Sequence, residues 1–192
     1  MNLILDVDTQ VDFMLKEGAL YVPDAEKVID NIKKLMANLF MPIISTVDEH
    51  AENDEEFKTF PKHCVKGKSG AWKIPDTIIY APAYVTYADR ELSNDDYVNC
   101  KQFILPKATY NVWDENLGQP INMKGLIEYF RPDTVHVVGV ATDICVLAAV
   151  KGLSDHVNHI ILHTDCMKGL SKENEEKAIA EMVALGNVWV EK

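Results

Sequence analysis

The chain has 192 residues, of which 47% are hydrophobic and 26% charged, and its 30 acidic against 19 basic side chains give a formal net charge of −11. That length suits one domain over residues 1–192, with a core large enough to need neither disulfides nor a structural metal. The acidic balance, with no basic run longer than Lys33-Lys34, disfavours nucleic acid or an anionic membrane as partner and leaves a small molecule.

Met1 leads directly into Leu3-Ile4-Leu5, with no basic leader, no cleavage site and no apolar stretch near the roughly eighteen residues of a membrane span, so a cytoplasmic protein is expected. Cys64, Cys100, Cys145 and Cys166 show no paired spacing, which fits reduced thiols. A homo-oligomer is left open.

In chain order, Asn2 to Val7 reads as a buried strand. Asp24 to Leu39 carries Val28, Ile29, Ile32, Leu35, Met36 and Leu39 at helical spacing behind an Asp24 cap. Pro42 to Val47 is the next strand. From Asp48 to Pro106 no clear periodicity appears; the stretch reads as long loops with short helices or strands, and so long an irregular segment is more often functional than idle. Order returns with a strand at Gln102 to Leu105, a helix over roughly Ile121 to Phe130 and a β-branched strand from Thr134 to Val138. A helix from Asp143 to Leu153, a strand at Asn158 to Leu162, a helix from Ser171 to Leu185 and a strand at Val188 to Val190 complete the chain. Strands alternating with helices predict an α/β fold: a parallel sheet of about six strands with helices on both faces.

In such a sheet, reactive groups collect just past the carboxyl ends of the strands. Cys145 stands there, after Gly139, and a cap from Thr142 or Asp143 would put it in the first turn of a helix, where the dipole lowers a thiol's pKa. A cysteine beside an apolar helix is otherwise a small core residue. Asp6 and Asp8 follow the first strand; a carboxylate beside a thiol can take its proton and later return it to a leaving amine, or it can simply cap a turn. Asp48, His50 and His63, with Glu56 between them, offer oxygen and imidazole ligands that Zn²⁺, Mn²⁺ or Fe²⁺ accept, although such a spacing also arises without a metal. Lys107 is either a solvated strand end or a cation holding a thiolate and a carboxylate ionised.

These residues fall in a pattern that resembles the isochorismatase-like cysteine hydrolases, and within them the nicotinamidases, over nearly the whole chain. The matching pieces are Asp8-Thr9-Gln10-Val11-Asp12-Phe13, Asp48-x-His50, Phe60-Pro61-Lys62-His63-Cys64-Val65-x-Gly67-x-x-Gly70-Ala71, Lys107 with Tyr110, and Gly139-Val140-Ala141-Thr142-Asp143-Ile144-Cys145, in the family's order. The resemblance implies the isochorismatase-like hydrolase fold and a triad of Asp8, Lys107 and Cys145. It also implies an oxyanion hole from the amides of Ala141 and Cys145, and one divalent metal ion, zinc before manganese or iron, on Asp48, His50 and His63 with Glu56 as an additional ligand. Phe13, Phe60 and Tyr110 would wall the substrate pocket, and a cis peptide would precede Ala141.

Lys68 and Trp72 depart from the family's usual Thr and Glu at the pocket rim. The implied activity is hydrolysis of nicotinamide to nicotinate and ammonia in NAD salvage, through a Cys145 thioester, with pyrazinamide as an adventitious substrate. The competing readings are an amidase of the same superfamily acting on a carbamoyl or ureido compound, a true isochorismatase, and a non-catalytic metal-binding module.

Overall fold

The computed structural model describes residues 1–39, 41–79, 85–87, 91–114 and 122–192. Seven parallel strands form one sheet: β1 (Asn2–Val7), β2 (Ile43–Asp48), β3 (Val85–Tyr87), β4 (Gln102–Lys107), β5 (Thr134–Val140), β6 (His159–Lys168) and β7 (Val188–Glu191), in the order β3-β4-β2-β1-β5-β6-β7. Six of these are the strands legible as apolar runs. The seventh, β3, is a three-residue edge too short to leave a periodic signal.

The helices are α1 (Val11–Met14), α2 (Ile29–Leu39), α3 (Asn94–Asn99), α4 (Met123–Phe130), α5 (Leu147–Leu153) and α6 (Lys172–Val183). They cover both sheet faces, as expected. One face packs Leu3, Leu5, Val7, Val135 and Val137 against Leu126 of α4, Val150 of α5 and Met182 of α6. The other packs Ile4, Val138 and Val140 against Met14, Val28, Ile32 and Met36. Coverage on both sides explains why β1, β2 and β5 are buried along almost their whole length rather than at alternate positions. Among the described residues no helix is long and apolar enough to cross a membrane.

Several boundaries differ from the sequence reading. Asp24 does not cap a helix: its φ of +64° makes no side-chain cap, its carboxylate pairs with Lys27 at 2.7 Å, and a 3₁₀ turn over Ala25–Val28 precedes α2. The helix placed at Ile121 starts at Met123, where the Asn122 side chain accepts from the Gly125 amide; Ile121 itself lies outside the described residues. β6 runs six residues past Leu162 because a bulge between the Val137 and Gly139 pairings absorbs the polar residues that interrupt the apolar pattern.

Strand order reverses between β1 and β5, since β2, β4 and β3 lie on one side of β1 and β5, β6 and β7 on the other. A crevice opens at such a switch point, outside the carboxyl ends of the strands. Close approach there requires Gly139. It has a φ of +111°, and a Cβ would stand 2.0 Å from the Val7 carbonyl oxygen of the neighbouring strand.

Candidate active site

Four strand ends deliver the site. Asp8 follows β1 with a φ of +50°, in the left-handed region that Asp tolerates better than most residues. Its amide donates to the Thr46 carbonyl at 3.1 Å, and Thr46 Oγ1 donates to its carboxylate at 2.5 Å. Asp48 ends β2 and Lys107 ends β4 in direct register with it. Cys145 comes from the turn after β5.

Lys107 is 1% exposed, and its ammonium lies 2.8 Å from Asp8 Oδ2 and donates to Asp48 Oδ1. The ligand atoms of Asp8, Asp48 and Cys145 all lie within 4.8 Å of one another. Burial works against the Lys107 charge, yet Asp48, Asp8 and Cys145 around it hold its pKa well above the ordinary value. Asp8 is raised above the usual carboxylate range, by burial first and by Asp48 next, against the pull of Lys107. Asp48 moves the other way: burial opposes its charge, but Lys107 and the two imidazoles outweigh it and lower the pKa.

The expectation of a thiol acidified by a helix end is corrected here. Thr142–Val146 is a π turn with Ala141 at its N-terminal flank and no side-chain cap, and α5 starts only at Leu147. The Asp143 carboxylate accepts from the Leu170 amide instead. Burial, Asp8 and Asp48 push the Cys145 thiol well above the ordinary cysteine value, and Lys107 offsets only part of this. Within the turn the Ala141 carbonyl accepts from the amides of Ile144 and Val146, both at 3.1 Å, and passes over Cys145. The Val140–Ala141 peptide is cis, in the place expected.

Beside Asp48 stand His50, Glu56 and His63, each offering one ligand atom within 4.8 Å of the others. His50 and His63 point Nε2 at Asp48 Oδ2, each at 3.6 Å. Pro61's carbonyl lies 2.7 Å from His63 Nδ1, which fixes the ring with Nε2 toward the cluster, the usual arrangement behind a ligating imidazole. His50 is fully buried, its Nδ1 lies 3.3 Å from Asp54 Oδ2, and its Nε2 has no hydrogen-bond partner among the described residues. Burial lowers the His50 pKa, but Asp48 and Asp54 more than reverse this. Burial, with Asp48 second, raises Glu56. A buried imidazole nitrogen without a partner, in a set of two carboxylates and two imidazoles, fits a divalent cation.

Part of the cluster and the thiol line one open pocket. Phe13, Phe60 and Tyr110 line it, together with Ala141, Cys145, Asp48, Glu56 and His63. Phe13 and Phe60 flank the His63 ring at centroid distances of 5.4 and 6.5 Å. Of the residues singled out from the sequence, Asp8, His50 and Lys107 are buried beside the pocket residues without lining the pocket, and Asp6, Lys68 and Trp72 do not line it either.

Some contributors went unassigned. Gln10 is fully buried and brackets Asp48: its Nε2 donates to the Asp48 carbonyl at 2.8 Å and its Oε1 accepts from the Asp48 amide at 2.6 Å. Asp12 accepts from the Cys64 amide at 2.7 Å and so holds the loop that carries His63. Both stand in the Asp8–Phe13 run, and their partners lie 38 and 52 residues away, where no local pattern shows them. Ile144, next to Cys145, also lines the pocket, as do Leu20, Val22 and Leu170, which as apolar loop residues carry no sequence signal.

The parallel sheet with a thiol, a carboxylate and an ammonium at its switch point is an α/β architecture with a candidate hydrolytic site. The isochorismatase domain pattern matches residues 89–191, more than half of the chain, and the chain belongs to that family. A nicotinamidase from Schizosaccharomyces pombe is 24% identical over 93% of this chain and 87% of that protein. Among solved structures, a Pyrococcus horikoshii pyrazinamidase in complex with zinc has a TM-score of 0.78 and 24% identity, covering 100% of this chain and 98% of that one. An N-carbamoylsarcosine amidase from Thermoplasma acidophilum follows the same fold with a TM-score of 0.73 and 20% identity, covering 100% and 95%. Likeness at these identities extends to the fold, and one fold carries more than one amidase substrate.

Proposed function

We propose that the protein is a nicotinamidase: it hydrolyses nicotinamide to nicotinate and ammonia, accepts pyrazinamide, and works as one domain over residues 1–192 on a small molecule in the cytoplasm. The observation that carries this reading is the meeting of Asp8, Lys107 and Cys145 with the Asp48, His50, Glu56 and His63 cluster, of which Cys145, Asp48, Glu56 and His63 line one apolar-walled pocket. An amidase for a ureido substrate would have the triad but no use for a second cluster facing an aromatic slot.

In the reaction, Asp8 takes the Cys145 proton, a transfer its raised pKa favours because the carboxylate is then a stronger base than a free aspartate. Sγ attacks the carboxamide carbon to form a tetrahedral adduct, and the amides of Ala141 and Cys145 donate to its oxyanion. Asp8 returns the proton to the amide nitrogen, the C–N bond breaks, and ammonia leaves a thioester on Cys145. Asp8 then draws a proton from water, whose oxygen attacks the thioester carbon; the C–S bond breaks, nicotinate departs and the thiol is reprotonated. Throughout, Lys107 offsets the negative charge that passes between Sγ and Asp8. Asp48, His50, Glu56 and His63 would hold a divalent ion, zinc in the first place and manganese or iron otherwise, which when bound supplies an electrophilic contact for a ring nitrogen and so orients the substrate. Phe13, Phe60 and Tyr110 clasp the ring.

Ammonia release from nicotinamide by the purified protein tests the reading, with Cys145→Ala as control and an N-carbamoyl amino acid as competing substrate. Turnover of nicotinamide that vanishes in Cys145→Ala is expected. Turnover of the carbamoyl compound alone would transfer the site to the other amidase class.

A further inference from the structure

On the sheet face covered by α2, the core contains a second buried lysine. Lys73 is 6% exposed, and its ammonium donates to Asp6 Oδ2 and to Thr9 Oγ1 at 2.5 Å. Asp6, Thr9, Ser45, Thr77 and Gln102 around it are all fully buried. Ser45 Oγ donates to Asp6 at 2.8 Å, Gln102 Nε2 donates to Ser45 Oγ at 2.8 Å and to the Thr77 carbonyl at 2.9 Å, and Thr9 meets Thr77 at 2.8 Å.

None of these groups reaches the pocket, and the chemistry does not use them. A well-packed apolar set would serve a core at least as well, since a buried ion pair seldom adds net stability over one. What such a pair can do is fix a register, because any slip leaves a charge unpaired in the interior.

The register in question belongs to the strap that contains Lys73. Val11 N donates to the Trp72 carbonyl at 2.9 Å, Ile74 N donates to the Thr9 carbonyl at 2.8 Å, and Gln10 forms an antiparallel bridge with Lys73. The strap therefore clamps the segment between Asp8 and Phe13. Gln10, at the centre of that segment, holds Asp48 by both backbone groups and also donates to the Ala71 carbonyl at 2.8 Å. A continuous path thus runs from the Asp6–Lys73 pair through the strap and Gln10 to Asp48, and a shorter one along β1 from Asp6 to Asp8.

We infer that Asp6 and Lys73 are positioning residues: the pair locks the 72–74 strap onto residues 9–11 and thereby sets the placement of Asp48 in the cation cluster and of Asp8 beside Cys145. The inference rests on the proposed roles of Asp48 and Asp8, but its test does not depend on the identity of the substrate.

Three variants and three readouts separate positioning from plain stability. Lys73→Met leaves Asp6 buried without its cation, and its Tm should fall by roughly 10 °C. Asp6→Val/Lys73→Met removes both charges and should recover most of that loss. Zn²⁺ affinity, titrated calorimetrically into chelator-stripped protein, should nevertheless stay weakened roughly tenfold or more in the double variant, as for loss of an outer-shell partner, and kcat should stay depressed with it. A double variant with wild-type Zn²⁺ affinity and wild-type turnover would reduce the pair to core filling and overturn the inference.

If the double variant does not fold, the nearly isosteric Asp6→Asn decides. Weakened Zn²⁺ binding is expected there, and wild-type binding overturns the inference. A wild-type protein that binds Zn²⁺ but leaves nicotinamide intact would count against the proposed substrate alone, because the Zn²⁺ and Tm comparisons remain in force.

Discussion

Replacing Lys107 with Met keeps much of the side-chain length and removes the charge. In the wild type that charge faces Asp8 at 2.8 Å and donates to Asp48, and the three side chains are at most 2% exposed. Taking one partner from a buried ion pair costs about 3–5 kcal/mol, because the remaining charge is left without compensation. For a domain of this length each kcal/mol moves Tm by about 2–4 °C, so Lys107→Met should lower Tm by roughly 6–20 °C. The measurement is a calorimetric scan of chelator-treated protein near pH 7.5, where no ion shields Asp48. Asp8→Asn/Lys107→Met removes one of the two stranded carboxylates and should regain about half of the loss, since the two carboxylates share one cation. A Tm for Lys107→Met within about 2 °C of wild type would show that the ammonium does not hold these carboxylates together, and the electrostatic account of the site would fall with it.

His50→Ala should release the divalent ion and raise KM more than it lowers kcat, because the cluster binds and the triad cleaves; wild-type metal content by elemental analysis would exclude His50 as a ligand. A pH dependence of stability comes from His136 and His163, whose rings stack with Nδ1 and Nε2 2.9 Å apart across β5 and β6. Burial lowers both pKa values, with His163 lowering His136 further while Glu191 and, for His163, Asp165 oppose the shift. A lowered folded pKa means that the unfolded chain binds protons first, so the pair's stability is full above the ordinary value of 6.5 and is lost as pH falls below it. His136→Phe should flatten the decline in unfolding free energy between pH 7 and 5 by up to about 1.4 kcal/mol per pH unit for each proton no longer taken up; an unchanged slope would refute it.

Much of this was legible in the sequence because it depends on local pattern. Apolar runs marked the six longer strands, and a polar residue at the end of each buried run marked the site, since the interior has no use for Asp8, Asp48 or Lys107 unless they meet one another. The rest depends on pairs far apart in the chain. Nothing near Lys73 in sequence announces Asp6, 67 residues away, and nothing near Gln10 announces that it straddles the Asp48 backbone 38 residues on. Asp24 and Asp143 each looked like a helix cap because each precedes a helical period; in the structure one pairs with Lys27 and the other holds the Leu170 amide. The direction of the Cys145 pKa went astray for the same reason. A turn after a strand can be read from sequence, whereas the depth at which a thiol lies and the two carboxylates beside it cannot.

The raised thiol pKa has a chemical consequence that alkylation can expose. A thiol acidified by its surroundings would need no base, whereas a buried neutral thiol requires a proton acceptor at contact distance, and Asp8 is the group whose hydrogen bond and charge both raise Cys145. Iodoacetamide should therefore modify Cys145 slowly near neutral pH, with the modified peptide quantified by mass spectrometry. Lys107→Met removes the ammonium that lowers the thiol pKa and should shift the rate–pH curve to higher pH. Asp8→Asn removes the negative neighbour and should shift the curve to lower pH, making the thiol more reactive, yet it should abolish turnover for want of a proton carrier. The loss should reach at least about a hundredfold, the low end of what a positioned acid–base group contributes. Reactivity and catalysis would then move in opposite directions in Asp8→Asn and fall together in Lys107→Met. If the three proteins gave superimposable curves, neither residue would act on the thiol, and the triad would have to be abandoned whatever the distances between its members.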